Sequence, residues 1–260
     1  MINMGEKRNK KVKFLEEHPK CIYCGGAQDS ETIDHMPPKI FFDNSHRPKG
    51  YEFPACRRCN NETGRAEQIV ALQLRGCDEN ANDLPKLFSG VENNTPAVIS
   101  NMTPSQRDKR NFIKKLGLRP GVDMSSADVP LMKLDLESFK LVGRKLTMAL
   151  HYHHTRQIVP PTGFVGVRWM TLSTIDNDGD DLQAFIDQLG PTHTLSQGAW
   201  NTIDQFAYRP SFSDDGNVSF FVAKFRGQIW LNGMVHCQPP NDDSFAVNGK
   251  RGFRPFHCEA

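Results

Sequence analysis

The sequence predicts an α+β fold, in which a small metal-stabilised unit precedes a larger unit of helices packed on an antiparallel sheet. Three observations support this prediction. Two Cys-x-x-Cys pairs lie in a turn-rich stretch near the N-terminus, apolar residues recur at helical spacing after residue 135, and three β-rich runs follow residue 205. A chain of 260 residues is long enough for two modest domains.

Composition indicates a soluble globular protein. Hydrophobic residues make up 38% and charged residues 24% of the chain, and no apolar stretch approaches the roughly 18 residues that span a bilayer. The N-terminus is basic and lacks the apolar run of a secretory signal. We therefore expect a cytoplasmic protein with no membrane partner. Thiols stay reduced in that compartment, so paired cysteines favour a metal site over disulfides.

The first predicted domain covers residues 1–76. Residues 1–18 mix charges with a few apolar positions, which predicts a short helix. Turn residues and short β-prone pieces, such as residues 31–35, dominate the stretch between the cysteine pairs. Apolar positions among polar ones then predict an amphipathic helix over residues 62–75, which ends near Gly76.

The second predicted domain covers residues 104–260, after a linker at residues 77–103 that is rich in Asn, Asp, Pro and Gly. Its role is open between targeting, homodimer formation and regulation. A turn at residues 226–228 is expected to join the last two strands as a hairpin. The predicted elements are a helix beginning at Thr103 and Pro104, a longer helix over 136–150, a strand over 164–171, a short helix over 181–189, and strands over 206–212, 218–225 and 229–235.

The two Cys-x-x-Cys pairs supply four thiolates, from Cys21, Cys24, Cys56 and Cys59. Four thiolates form the tetrahedral set that zinc prefers in structural sites. The stretch between the pairs has few apolar residues for a core of its own, so bound metal would stabilise it. The sequence therefore predicts structural Zn²⁺. A zinc ribbon without any catalytic role remains the alternative.

Three polar residues lie beside these cysteines. Asp34 and His35 end the β-prone piece, and Asn60 directly follows the last cysteine. If both pairs bind one zinc, all three residues are held on the same small scaffold. Carboxylate and amide oxygens are ligands suited to Mg²⁺ or Mn²⁺, and a neutral imidazole accepts a proton from water near neutral pH. This combination predicts a phosphodiesterase site.

The segments CIYC, TIDHMPPK and CRRCNNETG resemble the HNH nucleases, also called ββα-metal or His-Me finger nucleases. The closest likeness is to their four-cysteine zinc versions, such as the phage recombination endonuclease VII family. The resemblance covers residues 18–75. It implies that His35 is the general base and that Asp34 and Asn60 hold the catalytic ion. Asn44 lies in the loop that carries the family's middle asparagine.

The resemblance leaves two ligand assignments open. Asn61 competes with Asn60 for the role of metal ligand, and Glu67 would be a further ligand if the helix contributes one. The implied reaction is hydrolysis of a DNA phosphodiester to 5′-phosphate and 3′-hydroxyl ends. At the level of architecture, such a protein suits restriction, phage defence or a mobile element. The alternative is a zinc-ribbon module that binds nucleic acid or protein without cutting it.

Basic residues near the cysteines are candidates for contacts with the DNA backbone. Residues 1–75 contain 13 Lys and Arg against 10 Asp and Glu, although the net charge of the whole chain is only +2. Such contacts would be independent of sequence. The candidates are Lys39, Arg57, Arg58, Arg65 and the basic run at residues 7–13.

Two further patterns are interpreted as structural. His151, His153 and His154 fall at the end of the long predicted helix, where imidazoles commonly cap carbonyls or face solvent. The aromatic residues of the β-rich runs, including Phe206 and Trp230, are expected to form the core rather than a base-stacking platform.

Overall fold

The computed structural model of the chain describes residues 4–43, 48–76, 90–91, 95–96, 135–171, 186–227, 229–238 and 255–256. These residues have an α+β fold, as predicted. Their α-helices are α1 (Met4–Glu17), α2 (Arg57–Glu62), α3 (Gly64–Gly76) and α4 (Leu136–Thr155). Their strands are β1 (Thr32–His35), β2 (Glu52–Ala55), β3 (Gly90–Val91), β4 (Thr95–Pro96), β5 (Phe164–Thr171), β6 (His193–Thr194), β7 (Ser196–Gln197), β8 (Trp200–Asn201), β9 (Phe206–Phe212), β10 (Val218–Phe225) and β11 (Ile229–His236).

The main sheet has five antiparallel strands in the order β5-β11-β10-β9-β6. β10 and β11 form a hairpin in which Phe225 pairs with Ile229. Arg226 and Gly227 in its turn both have positive φ, of 49° and 74°. Both values lie in the left-handed region, which short hairpin loops commonly use and which glycine adopts without strain. The predicted hairpin is confirmed.

Helix α4 covers one face of this sheet. Its N-terminus is capped by Asp135, whose carboxylate accepts from the backbone N–H of Ser138, and it ends at Arg156 in the left-handed region. The helix approaches β5 closely at Gly143, where a Cβ would lie 2.6 Å from Nε1 of Trp169. That indole donates to the carbonyl of Phe139 at 2.7 Å. The small residue thus brings the helix and the sheet into direct contact.

The N-terminal part of the chain is built around a small hairpin. β1 pairs antiparallel with β2, with Thr32 opposite Ala55 and His35 opposite Glu52. The hydrophobic core continues from this hairpin into the α4–sheet unit. Phe41 makes an edge contact with Phe225, and Phe42 makes one with Trp200. Both are almost fully buried, so the loop after β1 is part of the common core.

Most predicted elements within the described residues are confirmed. The short N-terminal helix, the β-prone piece at 31–35, the amphipathic helix and the long helix correspond to α1, β1, α3 and α4. The strand over 164–171 and the last three strands correspond to β5, β9, β10 and β11. β2, α2 and the short strands β6 to β8 were not predicted. The helix beginning at Thr103 and most of the helix over 181–189 lie outside the described residues, as does most of the predicted linker.

The described helices include none that is both long and apolar enough to cross a membrane. The expectation that the aromatic residues of the strands form core is confirmed for Phe206, Tyr208, Phe221 and Phe225, which are at most 2% exposed. Phe220 and Trp230 are only partly buried, and Phe212 is 39% exposed, so the expectation fails for Phe212.

Candidate metal centre and active site

The four predicted zinc ligands converge. Their Sγ atoms all lie within 4.8 Å of one another, and all four residues are buried. Cys21 and Cys24 belong to a tight turn before β1, which Gly25 and Gly26 continue with φ of 64° and 77°. These φ values lie in the region that favours glycine. Two elements that are distant in sequence thus contribute one sulfur pair each.

The second sulfur pair also begins a helix. Cys56 follows β2 and is the N-cap of α2, with its Sγ accepting from the backbone N–H of Cys59 at 3.5 Å. Metal coordination by these two residues would therefore fix the end of the hairpin and the start of the helix together. The donor set fits Zn²⁺, because four thiolates at this spacing match a closed tetrahedral site.

Two of the cysteines have shifted pKa values. Hydrogen bonds with Cys21 and Cys59 lower the pKa of Cys24, whereas hydrogen bonds with Cys21 and Cys24 raise that of Cys59. Cys24 therefore loses its proton more readily than Cys59. Zinc binding would release the remaining protons, which makes the affinity dependent on pH.

Asn60 is held against β1 in a defined orientation. Its Nδ2 donates to Oγ1 of Thr32 at 3.1 Å, and that hydroxyl donates to the carbonyl of Ala55 at 2.9 Å. Because the single hydroxyl proton of Thr32 is used at Ala55, its oxygen can only accept from Asn60. The NH₂ end of the amide therefore faces Thr32, and the oxygen end is turned away. Asn61, the competing candidate, is exposed on α2.

Asp34 lies two residues beyond Thr32, on the same face of β1. It is 6% exposed. Its Oδ2 accepts from the hydroxyl of Tyr23 at 2.7 Å and lies 3.2 Å from Nζ of Lys145 on α4. Both described contacts fall on Oδ2. Burial, and then the charge of Asp34, raise the pKa of Tyr23 well above its ordinary value, so this residue stays a hydrogen-bond donor.

Lys145 joins Asp34 to the helix that follows the zinc site. Its ammonium donates to Thr63 Oγ1 at 2.6 Å and to Glu67 Oε1 at 2.8 Å. Thr63 in turn donates to the same Glu67 oxygen at 2.7 Å. Burial disfavours the charged ammonium, but the charges of Asp34 and Glu67 outweigh it and raise the pKa of Lys145. The ammonium of Lys145 is therefore buried and stays charged near neutral pH.

His35 is the last residue of β1 and is half-buried. Since successive side chains of a strand alternate between faces, His35 lies on the face opposite to Asp34 and Thr32. Its cross-strand partner is Glu52. Residues directly opposite in an antiparallel pair are neighbours on the same face, so Glu52 lies on the face of the hairpin that carries His35. Asn60 and Asp34 are thus brought to one face, and His35 stands at the strand end beside it.

The described ends of the loop from β1 to β2 are held by two different parts of the chain. One end contacts the residue before β9 and the β10–β11 turn, and the other contacts β7, which lies outside the main sheet. Asp43 accepts from Nη2 of Arg226 at 2.7 Å, and its backbone N–H donates to Gln205 at 2.8 Å. On the other side, the N–H of Lys49 donates to the carbonyl of Ser196 at 3.0 Å. Asn44, the predicted middle asparagine, lies in this loop but outside the described residues.

The predicted DNA-contacting residues lie at the surface. Arg57 forms an exposed ion pair with Glu31, with Nε and Oε1 separated by 3.3 Å. Such a pair contributes little to stability, so its guanidinium remains accessible to a polyanion. The exposed residues also include Lys39, Arg58, Arg65 and, on α1, Arg8, Lys10, Lys11 and Lys13.

A second polar network lies outside this site, at the end of α4. His151 is fully buried, with Nδ1 2.7 Å from Oγ of Ser219 and Nε2 3.5 Å from Sγ of Cys237. Burial lowers the pKa of His151 to about 4 and raises that of Cys237 to about 11. Both groups are therefore neutral near pH 7. The expectation that His151 caps a carbonyl or faces solvent is wrong, because this turn of the helix faces β10 and β11.

Sequence reasoning missed Lys145, Tyr23, Thr32 and Glu52. The signal for Lys145 was present: it lies three residues after Val142 and four before Ala149, on the apolar stripe of α4. A lysine there requires a buried partner. Glu52 was missed because β2 was not predicted.

Comparison of the chain with protein-family models, with curated proteins and with solved structures returned no match. These comparisons therefore assign the chain to no family.

Proposed function

We propose that the chain is a zinc-stabilised endonuclease of the HNH type, which hydrolyses DNA phosphodiester bonds. The observation that carries the proposal is the pairing of Asn60 and Asp34 on one face of β1. The Thr32 hydroxyl turns the amide oxygen of Asn60 away from itself, and the described contacts of Asp34 fall on Oδ2 alone. One amide oxygen and one carboxylate oxygen are thus left as donors beside the zinc cluster.

This donor set fits a hard divalent ion such as Mg²⁺ or Mn²⁺. Oδ1 of Asp34 and Oδ1 of Asn60 would hold it, with water completing the shell. When bound, the ion would supply Lewis-acid stabilisation of the charge that develops on the phosphate oxygens.

The remaining chemistry belongs to residues of the chain. Neutral His35 would accept the proton of the attacking water, and Glu52 across the hairpin would favour the imidazolium formed in that step. The mechanism requires that a phosphate at the end of β1 be reached from both faces of the strand. Exposed basic residues, including Lys39, Arg58 and Arg65, would hold the DNA backbone. The expected products are 5′-phosphate and 3′-hydroxyl ends.

The test is a plasmid-nicking assay of zinc-loaded protein with Mg²⁺, with Mn²⁺ and with EDTA. We predict metal-dependent nicking, and a loss of about a hundredfold or more in His35→Ala, because removing a general base costs ~10²–10⁴ in rate. His236→Ala is the matched control, since His236 also ends a strand but belongs to the main sheet, whereas β1 belongs to the separate two-stranded sheet. It should cut as fast as the unmodified protein. Undiminished nicking by folded, zinc-loaded His35→Ala would refute the mechanism.

A second candidate function is a zinc-ribbon module that binds nucleic acid or protein without cutting it. The burial of Asp34 and its pairing with Lys145 favour this candidate, because both are also expected of a purely structural ion pair. Gel-shift binding of DNA with no nicking of supercoiled, linear or single-stranded DNA in any metal would select it.

A further inference from the structure

A lysine ammonium lies at the centre of three oxygen atoms beside the candidate site. Nζ of Lys145 contacts Oδ2 of Asp34, Oε1 of Glu67 and Oγ1 of Thr63 at 3.2, 2.8 and 2.6 Å. An ammonium has three hydrogens, so these contacts account for all of them. The side chain has no exposed surface. This three-oxygen cluster is thus a cation site that the chain fills with its own side chain.

The three-oxygen cluster joins distant parts of the chain. Asp34 belongs to β1, Thr63 and Glu67 lie at the start of α3, and Lys145 comes from the middle of α4. Tyr23, from the first cysteine turn, donates to the same Asp34 oxygen, and its ring lies 5.3 Å from Nζ. A carboxylate pair with a hydroxyl is a donor set that would otherwise suit a hard metal ion.

We propose that Lys145 is a built-in cation that sets how strongly Asp34 binds a divalent ion. The inference rests on the proposed function for the location of that ion. The ammonium occupies Oδ2 and so directs any ion to Oδ1. Its fixed positive charge also repels the ion, and this repulsion is strong because the cluster is shielded from water. Lys145 is therefore a positioning residue that weakens ion binding at Asp34 and keeps the ion out of the three-oxygen cluster.

The competing explanation is that Lys145 only fastens α4 to the zinc-bound unit. Under that explanation its removal lowers the melting temperature and leaves the affinity for metal unchanged or reduced. A built-in cation predicts the opposite change in affinity. Ion binding in the absence of DNA therefore separates the two explanations.

The experiment compares two variants that differ only in the ammonium. Glu67→Gln keeps the pair of Lys145 and Asp34, whereas Glu67→Gln with Lys145→Met removes the ammonium and preserves the length of the side chain. The second variant has the same net charge in this cluster as the unmodified protein, which limits the loss of stability. Zinc content and a thermal melt establish that each variant is folded.

Binding of Mn²⁺ is then measured by electron paramagnetic resonance on zinc-loaded protein without DNA. We expect the variant with Lys145→Met to bind Mn²⁺ about tenfold or more tightly than Glu67→Gln alone. Adding Asp34→Asn should abolish the gain, which locates the ion. Equal or weaker binding in the Lys145→Met variant overturns the proposal.

A variant with the single substitution Lys145→Gln provides a second test if the Lys145→Met variant does not fold. It loses the positive charge but keeps hydrogen-bonding capacity, and the same gain in Mn²⁺ affinity over the unmodified protein is required. Nicking is measured separately on all variants. If Mn²⁺ affinity rises but the unmodified protein does not nick DNA, the proposed endonuclease is refuted and this inference stands. If the unmodified protein nicks DNA but Mn²⁺ affinity does not rise, this inference is refuted and the proposed endonuclease stands.

Discussion

At Thr32 a single hydroxyl proton decides which end of the Asn60 amide faces the candidate site. The proton is committed to the carbonyl of Ala55, so the Thr32 oxygen accepts from Nδ2. Neither contact involves the cysteines. The orientation of a proposed metal ligand is therefore controlled by a residue that is not itself a proposed ligand.

We predict that Thr32→Val slows nicking by about 10- to 100-fold, the usual cost of losing a partner that orients a metal ligand. The two side chains have the same shape, so stability should fall by only about 1–2 kcal/mol for the lost hydrogen bonds. Thr32→Ser is the control, because it keeps the hydroxyl. The rates are measured by nicking and the stabilities by urea unfolding. Equal rates for the two variants would contradict the orienting role.

Candidate site residues could be predicted from the sequence where they lie close together along the chain. The four cysteines stand in two short pairs, and Asp34 and Asn60 stand close to them in the chain. Lys145 could not be placed at the site in this way, because only tertiary packing brings α4 to β1. The residues that position the candidate side chains were missed more often than the candidates themselves.

Among the elements, α4 depends most on a close approach. Gly143 lies against the indole of Trp169, and Gly233 of β11 lies against Thr147. Both contacts leave no room for a side chain. The helix and sheet are consequently fixed in one relative position, and the position of Lys145 relative to β1 follows from it.

We predict that Gly143→Ala destabilises the protein by about 1–3 kcal/mol. Alanine normally gains up to about 1 kcal/mol over glycine within a helix, but here its Cβ would lie 2.6 Å from Trp169 Nε1 and overpack the contact. Gly64→Ala in α3 is the control, since nothing lies within 4 Å of its added Cβ. Thermal melts should show opposite shifts for the two variants. A gain in stability for Gly143→Ala would contradict the close contact.

The zinc cluster should act on several elements together. We predict that Cys56→Ser loses zinc and unfolds β1, β2 and α2, because bound zinc would join the end of β2 and the start of α2 to the turn before β1. Cys237→Ser is the control, as Cys237 is buried but lies outside the cluster. Zinc content and amide hydrogen exchange measure both effects. If the amides of these elements exchange as slowly in zinc-free Cys56→Ser as in the unmodified protein, zinc does not stabilise them.

The predictability of the elements followed their length and periodicity. α4 and β9 to β11 are long enough for a clear pattern, and they were found. β2 has four residues and includes Pro54, which argues against a strand when read alone. Its pairing with β1 is specified by the cysteine at its end and by the fold around it. The alternation of residues within β2 alone therefore does not predict the strand.

At the scale of the whole molecule, the core is shared between the four-cysteine hairpin of β1 and β2 and the α4–sheet unit. The His151 network lies in this core, with Ser219 and Cys237 from two strands. Burial lowers the pKa of His151 to about 4. An unfolded chain restores the ordinary value of about 6.5, so acid affects the two states differently.

The sign of this effect is a loss of stability on acidification. Below pH 6.5 the unfolded state gains a proton that folded His151 does not take up, and the loss is complete near pH 4. We predict that between pH 7.5 and 5.5 this residue accounts for about 1 kcal/mol. Urea unfolding of the unmodified protein and of His151→Gln measures it, and the variant should show the smaller change. Identical pH dependence would show that His151 is not held neutral by the fold.

The position of Lys145 in the chain also has a consequence for biosynthesis. Glu67 precedes Lys145 by 78 residues, which at ~5–20 residues per second takes roughly 4–16 s to translate. During this interval Asp34 and Glu67 have been synthesised but Lys145 has not, even if the four cysteines have already bound zinc. The ribosome-bound protein is thus expected to bind divalent ions more readily than the finished one. The affinity of Asp34 for a divalent ion would fall only when synthesis reaches α4.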